Sequence, residues 1–250
     1  MRMSPAELKG KTILITGATR RIGKNITLAM ARSKANVIIH YHQSEKQALK
    51  LVQQAKQSGV KAWAVKGDLA SPDGITEWFT GIRQKTGRID ILINNASIFF
   101  PSSLNKLEKN LGTFLDINSL SPLVLARNFA GQTENGCIVN LLDNRIKGYD
   151  LTHAAYQLSK NILYSLTRMM AIQMAPGIRV NGIAPGLILP PAGKGHSFLK
   201  KMALRNLLKR SGKAEDITKA VEFLITSPFI TGEVIVIDGG ETLKQLEFMR

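Results

Sequence analysis

Tyr156 and Lys160 stand four residues apart in the stretch AAYQLSKNIL, and Asp143 lies upstream of them in IVNLLDN. Residues at i and i+4 of a helix project from one face, one turn apart. A free tyrosine has a pKa of about 10, too weak an acid for efficient proton donation near neutrality. An ammonium beside it favours the phenolate, so Lys160 is expected to lower the Tyr156 pKa into a working range for general acid catalysis. Asp143 adds a carboxylate that can pair with N–H groups or relay a proton.

A second constellation is TGATRRIG, running from Thr16 to Gly23 directly after an apolar run. Gly17 lets the backbone turn tightly, and Gly23 lets the following helix pack closely on the strand. The amides of that turn, through Arg20, Arg21 and Ile22, suit a pyrophosphate at a helix N-terminus. Arg21 occupies a slot where such turns usually carry glycine.

The segment HYHQS ends the second apolar run and holds no acid before Glu45. Dinucleotide folds that prefer NAD usually place an acid there, on the adenosine ribose. Arg20, His40, His42 and Ser44, with Tyr41 among them, are instead expected to meet a 2′-phosphate. The cofactor expected is NADPH.

These groups need a frame. Short apolar runs at 12–16, 36–41, 61–66, 89–94, 136–141, 179–184 and 233–237 read as strands covered on both faces. Amphipathic stretches at 21–33, 44–58, 72–86, 103–130, 152–175, 196–209 and 214–226 alternate with them as helix candidates. Strict alternation implies an α/β fold: one Rossmann-type, doubly wound, mostly parallel sheet with helices on both faces. No repeat, linker or composition break divides the chain, so residues 1–250 are read as a single domain. In such a sheet, ligands bind beyond the carboxyl ends of the strands, where each of these motifs falls.

Composition narrows the function classes. No apolar run reaches the length of a membrane span, and the first residues carry no apolar signal core. A lone cysteine, Cys137, excludes an internal disulfide framework and fits a reducing compartment, so a cytoplasmic protein is expected. Lys and Arg total 34 against 18 Asp and Glu, a formal net charge of +16. Such a field attracts anions: phosphorylated cofactors, polyglutamyl tails or nucleic acid. No Cys/His ligand spacing, aromatic ribonucleoprotein motif or isolated basic arm is present, so neither a metal site nor specific nucleic-acid binding is expected.

The ordered set Gly17/Gly23, Gly67-Asp68-Leu69, Asn94-Asn95-Ala96-Ser97, Asn118, Tyr156/Lys160 and Pro185-Gly186 resembles the short-chain dehydrogenase/reductase family over essentially the whole chain. The resemblance implies that Lys160 also holds the nicotinamide ribose. It implies that Asn118 orders water and backbone near the lysine, and that Asp68 binds the adenine with Leu69 packed beside it. Asn95, Ala96, Ser97, Pro185 and Gly186 would complete the cofactor site. Most of the family has a serine where this chain has Asp143. That change, with Arg21 in the glycine slot and Phe99 two residues after Ser97, resembles the pteridine reductase branch. A pterin or folate substrate follows from that resemblance. Phe99 would stack on the ring, with Arg21, Ser97, Asp143, Tyr156 and Leu187 around it.

Residues 186–212 are similar to the family's substrate loop, and a homotetramer is expected from the family. In that loop Phe198, Leu199, Met202 and Leu207 are expected to pack inward. Lys194, Lys200, Lys201 and Arg205 would remain in water, where they could greet a glutamylated tail or simply solvate the face. Two other functions stay open: a carbonyl or 3-oxoacyl thioester reductase, and a non-catalytic NADP(H)-binding regulator. The intact Asn118, Tyr156 and Lys160 set disfavours the second.

Overall fold

A computed structural model describes residues 8–190 and 195–247. Seven strands, β1 (Thr12–Ile15), β2 (Asn36–Tyr41), β3 (Ala62–Lys66), β4 (Ile91–Asn94), β5 (Gly136–Leu141), β6 (Ile178–Pro185) and β7 (Val234–Ile237), form one sheet. Its order is β3-β2-β1-β4-β5-β6-β7 and every pairing is parallel. Between the strands run α1 (Arg21–Arg32), α2 (Glu45–Lys56), α3 (Ile75–Thr86), α4 (Leu107–Leu115), α5 (Ser121–Ala130), α6 (Ala154–Met174), α7 (His196–Ala203) and α8 (Ala214–Thr226). The helix α9 (Glu241–Glu247) follows β7.

The five inner strands, β1, β2 and β4 to β6, are buried on both faces, which is why they read as unbroken apolar runs. Ile13, Ile15, Val37, Ile39, Ile93 and Val139 pack on one face beneath α1, α2 and α8. Leu14, Ile38, Leu92, Ile138 and Val180 pack on the other beneath α3, α5 and α6. Burying each such side chain contributes roughly 1.5–3 kcal/mol.

The strand order reverses between β1 and β4. That switch point opens a crevice beyond Ile15 and Ile93, which are register partners. Gly17 leaves one side of the crevice and Asn95 the other.

Two helix expectations are corrected. The stretch 103–130 is not one helix: a π-helical turn, Asp116–Leu120, separates α4 from α5. Pro122 causes it, because proline has no N–H to give the Asn118 carbonyl and its ring crowds that oxygen. The helix expected over 196–209 ends at Ala203. Leu199 is buried as expected, whereas Leu207 is exposed. Lys200, Lys201 and Arg205 are exposed, and Lys194 lies outside the described residues. Helix α9 went unanticipated. Asp238 caps its start, accepting hydrogen bonds from the Thr242 and Gly240 amides, each at 2.9 Å.

Candidate active site

The first turn has no space for side chains at its two glycines. Gly17 has φ +59°, and a Cβ there would lie 2.9 Å from the Ala96 Cα; a Cβ on Gly23 would lie 2.3 Å from the Gly17 oxygen. Thr16 and Asn95 hold the turn across the crevice. The Asn95 amide and the Ala96 amide both donate to the Thr16 hydroxyl at 3.0 Å. The Asn95 side chain donates to the Thr16 and Gly17 carbonyls at 2.9 and 3.0 Å. Asn95 therefore spends its side chain on the loop itself.

Arg21 answers why an arginine sits in a glycine slot. It adopts the left-handed φ of +50° that a glycine would take, a conformation costing a non-glycine residue about 1–2 kcal/mol. Its guanidinium donates to the Pro190 carbonyl at 2.8 Å and the Leu189 carbonyl at 3.3 Å. The expectation that Arg21 reaches a bound substrate ring is corrected: its side chain straps the segment after β6 onto the Gly17–Gly23 turn. Arg20 is exposed beside it, Ile22 packs partly against the core, and the first turn of α1 has no acid.

His40 is a second correction. It is 3% exposed and lies beneath Trp78, edge to face, with ring centroids 5.1 Å apart. Its Nδ1 accepts the Gly17 N–H at 3.0 Å, so the proton sits on Nε2, 3.2 Å from the Gly67 carbonyl. The ring thus braces the Gly17–Gly23 turn from below and, being buried, is not placed to meet the 2′-phosphate expected of it. Tyr41 is also turned inward, its hydroxyl donating to Glu45 at 3.1 Å. On the open side remain Ser44, at the start of α2, and His42, 3.9 Å from the Asp68 carboxylate with both more than half exposed. Leu69 is buried beside them.

Burial lowers the His40 pKa from 6.5 to about 4; the Gly67 hydrogen bond and the Asp68 charge oppose the shift, and His42 adds to it. The unfolded chain therefore binds a proton that the folded chain refuses between those values. Stability from the neutral ring is complete above pH 6.5 and is lost as pH falls toward 4, by roughly 3 kcal/mol. Urea unfolding of His40→Asn, which can still accept the Gly17 N–H but does not titrate, should show a correspondingly flatter acid limb. An unchanged pH slope would contradict this role.

Tyr156 and Asp143 meet directly. The Tyr156 hydroxyl donates to Asp143 Oδ2 at 2.8 Å, and Asp143 Oδ1 accepts the Arg145 amide at 2.9 Å. Burial pushes the Tyr156 pKa well above that of a free phenol, and the charge and hydrogen bond of Asp143 push it further; Arg145 opposes them. The expected lowering by Lys160 is corrected. The Lys160 ammonium is buried, donates to the Leu141 carbonyl at 2.7 Å and sits 5.9 Å from the Tyr156 ring centre. Burial drops its own pKa to about 8, although the Asp143 charge pulls upward.

Asn118 is fully buried at the π-helical turn, where its side chain meets three partners. Its Oδ1 accepts the Ile98 amide at 3.0 Å and the Ser97 hydroxyl at 3.1 Å, while its Nδ2 donates to Ser159 at 3.0 Å. It fastens the Asn94–Ser97 loop to α6 rather than addressing Lys160 itself. Phe99 has one face stacked on His153, centroids 4.4 Å apart, and its ring stands nearly perpendicular to that of Tyr156. The Arg145 guanidinium also lies over this ring, 5.2 Å from its centre. Pro185 ends β6 against Ile237, and Gly186 is pressed on Asp238, where a Cβ would come within 2.6 Å of the Asp238 Cβ. Leu187 follows, half-buried.

Three residues at this site were not anticipated: Arg145, Asp150 and His153. Asp150 accepts His153 Nδ1 at 2.9 Å and lies 3.4 Å from Arg145 Nε. The Asp-x-x-His spacing ahead of Tyr156 was a readable signal, since residue 153 begins the turn that carries the tyrosine.

Comparison with known proteins follows the same lines. The protein family described as enoyl-(acyl carrier protein) reductase matches residues 17–242. The 3-oxoacyl-[acyl-carrier-protein] reductase FabG of Staphylococcus epidermidis is 31% identical, the match covering 92% of this chain and 98% of that protein. The crystal structure of FolM alternative dihydrofolate reductase 1 from Brucella canis, complexed with NADP, is 30% identical with a TM-score of 0.86, covering 97% and 96% of the two chains. The promiscuous reductase LugOII, which catalyses keto-reduction at C1 in lugdunomycin biosynthesis, is 29% identical with a TM-score of 0.86, covering 94% and 99%. With the parallel sheet, the crevice and these full-length matches in agreement, the chain belongs to the short-chain dehydrogenase/reductase family of NAD(P)-dependent oxidoreductases.

Proposed function

We propose that this chain reduces a dihydropterin to its tetrahydro form with NADPH, and accepts dihydrofolate as a secondary substrate. The observation that carries the reading is the 2.8 Å hydrogen bond from Tyr156 to Asp143. A serine at that place can donate to a carbonyl oxygen, whereas an ionised carboxylate can only accept. A ketone offers no donor to it, and its oxygen would be repelled. A pterin offers N–H groups along its edge. The NADP-bound FolM structure supports the same reading.

The residues present fit a dinucleotide. The glycine cradle and the acid-free N-terminus of α1 suit the pyrophosphate. Arg20 and His42 would meet the 2′-phosphate and Asp68 the adenine. Lys160 would hold the ribose, with Asn95, Ala96, Ser97, Pro185 and Gly186 lining the nicotinamide end. When bound, NADPH supplies the hydride to the carbon of a C=N bond. Tyr156, kept protonated by its surroundings, gives its proton to the nitrogen. Asp143, hydrogen-bonded to that hydroxyl, relays a replacement from solvent. Ser97 and Phe99 would position the ring.

Cofactor preference has its own test. NADPH is expected to bind at least about tenfold more tightly than NADH, some 1.4 kcal/mol, modest for a charge-assisted contact. Arg20→Ala should erase most of that difference in titrations of cofactor fluorescence, and equal affinities in the unaltered protein would refute it.

A second reading, 3-oxoacyl thioester reduction, is favoured by the similarity to FabG. The two separate on kcat/KM for a dihydropterin against an acetoacetyl thioester. Higher efficiency on the thioester would overturn the pterin assignment.

The homotetramer belongs to this proposal as well. Leu158, Ile162, Met169 and Ile172 lie exposed along one side of α6 at heptad-like spacing. We take that stripe as a contact between copies of the chain. Sedimentation as a monomer at micromolar concentration would count against it.

A further inference from the structure

We propose that Asp150 and His153 are positioning residues for the proton donor, holding Tyr156 from two directions. The proposal rests on Tyr156 being that donor. The first path runs through charge. The Asp150 carboxylate lies 3.4 Å from Arg145 Nε, and the same nitrogen is 3.9 Å from Asp143 Oδ1. Asp143 in turn takes the Tyr156 hydroxyl at 2.8 Å. The second path runs through rings. His153, bound to Asp150 at 2.9 Å, stacks on Phe99 with an interplanar angle of 14°, and Phe99 meets Tyr156 at 83° with centroids 4.8 Å apart. The guanidinium of Arg145 lies 5.2 Å from the same Phe99 ring centre. Both paths begin at the Asp150–His153 pair and end on Tyr156, one at its oxygen and one at its ring.

The surrounding backbone keeps the pair in place. Asp150 Oδ1 accepts the Thr152 amide at 3.0 Å and the His153 amide at 3.2 Å. Buried Gln157 accepts the Asp150 amide and donates to the Arg145 carbonyl at 3.0 Å. A short bridge ties the Phe99 loop to the same point: the Ser102 amide donates to the Thr152 carbonyl at 2.9 Å, and the Ala154 amide to the Ser102 carbonyl at 2.8 Å. Side-chain exposures of 18% for Asp150 and 20% for His153 give both contacts more weight than a fully solvated surface pair would have.

Arg145 is shared between two carboxylates. Asp150 draws it away from Asp143 and leaves Oδ2 free for the phenol. Without the Asp150 charge, Arg145 would shift wholly onto Asp143 and compete for that oxygen. Misplacement of a reacting group by about 1 Å can cost up to roughly a hundredfold in rate.

The test uses the full chain with NADPH and whichever substrate it turns over best. Asp150→Asn should lower kcat about ten- to a hundredfold while leaving NADPH affinity within about twofold, because no cofactor contact changes. Asp150→Glu should recover part of the loss. His153→Phe, which keeps a ring on Phe99 but drops the hydrogen bond to Asp150, should fall between. A readout independent of substrate is the 13Cζ resonance of Tyr156, assigned by its loss in Tyr156→Phe. It should stay phenolic to higher pH in the unaltered protein than in Asp150→Asn, where Arg145 moves toward it.

Wild-type kcat and an unchanged tyrosine signal in both Asp150→Asn and His153→Phe would overturn the proposal. So would a lower melting temperature with kcat and NADPH affinity falling together, the mark of a merely structural pair. If Tyr156→Phe abolishes turnover and Asp150→Asn does not reduce it, only the positioning role fails. If Tyr156→Phe keeps turnover, the proton-donor reading fails first.

Discussion

Tyr156→Phe is expected to lower kcat by roughly 10²–10⁴-fold, the usual contribution of a general acid, with NADPH affinity nearly unchanged. The variant keeps the ring that packs against Phe99 and Phe114 and removes only the hydroxyl on Asp143. Stopped-flow turnover against cofactor titration separates the two effects. The pH profile adds a second check. The Tyr156 phenol is held well above its ordinary pKa, so it should not produce the basic limb of the profile. Lys160, lowered to about 8, should: under the proposed function its ammonium would hold the ribose only while protonated, so turnover at limiting NADPH should fall above that pH. Near-normal turnover in Tyr156→Phe would move the chemistry to Asp143 or water.

Asp143→Ser carries the next largest effect, and its sign depends on the substrate. The change replaces an acceptor-only group by a hydroxyl that can donate. A hydrogen bond with a charged partner is worth roughly 1.5–3 kcal/mol, so kcat/KM for a dihydropterin should drop about ten- to a hundredfold. Efficiency on an acetoacetyl thioester should rise at the same time, because a hydroxyl now faces the carbonyl oxygen. Equal losses on both substrates would make Asp143 a general support of Tyr156, with no part in choosing the ring.

Much of the frame was legible before any coordinates, for a physical reason. Strands buried on both faces leave unbroken apolar runs such as KTILIT and DILIN, and all seven appear within two residues of their expected ends. Local patterns also held two signals that were passed over. His40 shares a parity with Ile38 in NVIIHY, so strand alternation alone puts it on the same covered face. Pro122, four residues after Asn118, announces the break in the long helix.

The remaining differences depend on tertiary contacts that spacing does not encode. The i, i+4 relation put Tyr156 and Lys160 on one face. It could not say that the ammonium would turn to the Leu141 carbonyl and leave the phenol to Asp143. Arg21 was visible as an oddity, but its partners, Leu189 and Pro190, lie most of the chain away. Asp143 and Tyr156 converge because the β5–α6 connection folds back on itself. Arg145 occupies that same connection with no pattern to mark it, whereas Asp150 and His153 carry only the short Asp-x-x-His spacing.

The most direct measurement follows the transferred atom. NADPH carrying deuterium at the transferred position is supplied with a dihydropterin and an acetoacetyl thioester together, and both products are weighed by mass spectrometry. The account predicts tetrahydropterin one mass unit heavier, labelled at the carbon of the former C=N bond, with little label in the hydroxyacyl product. Deuterium found only in the hydroxyacyl product would contradict it.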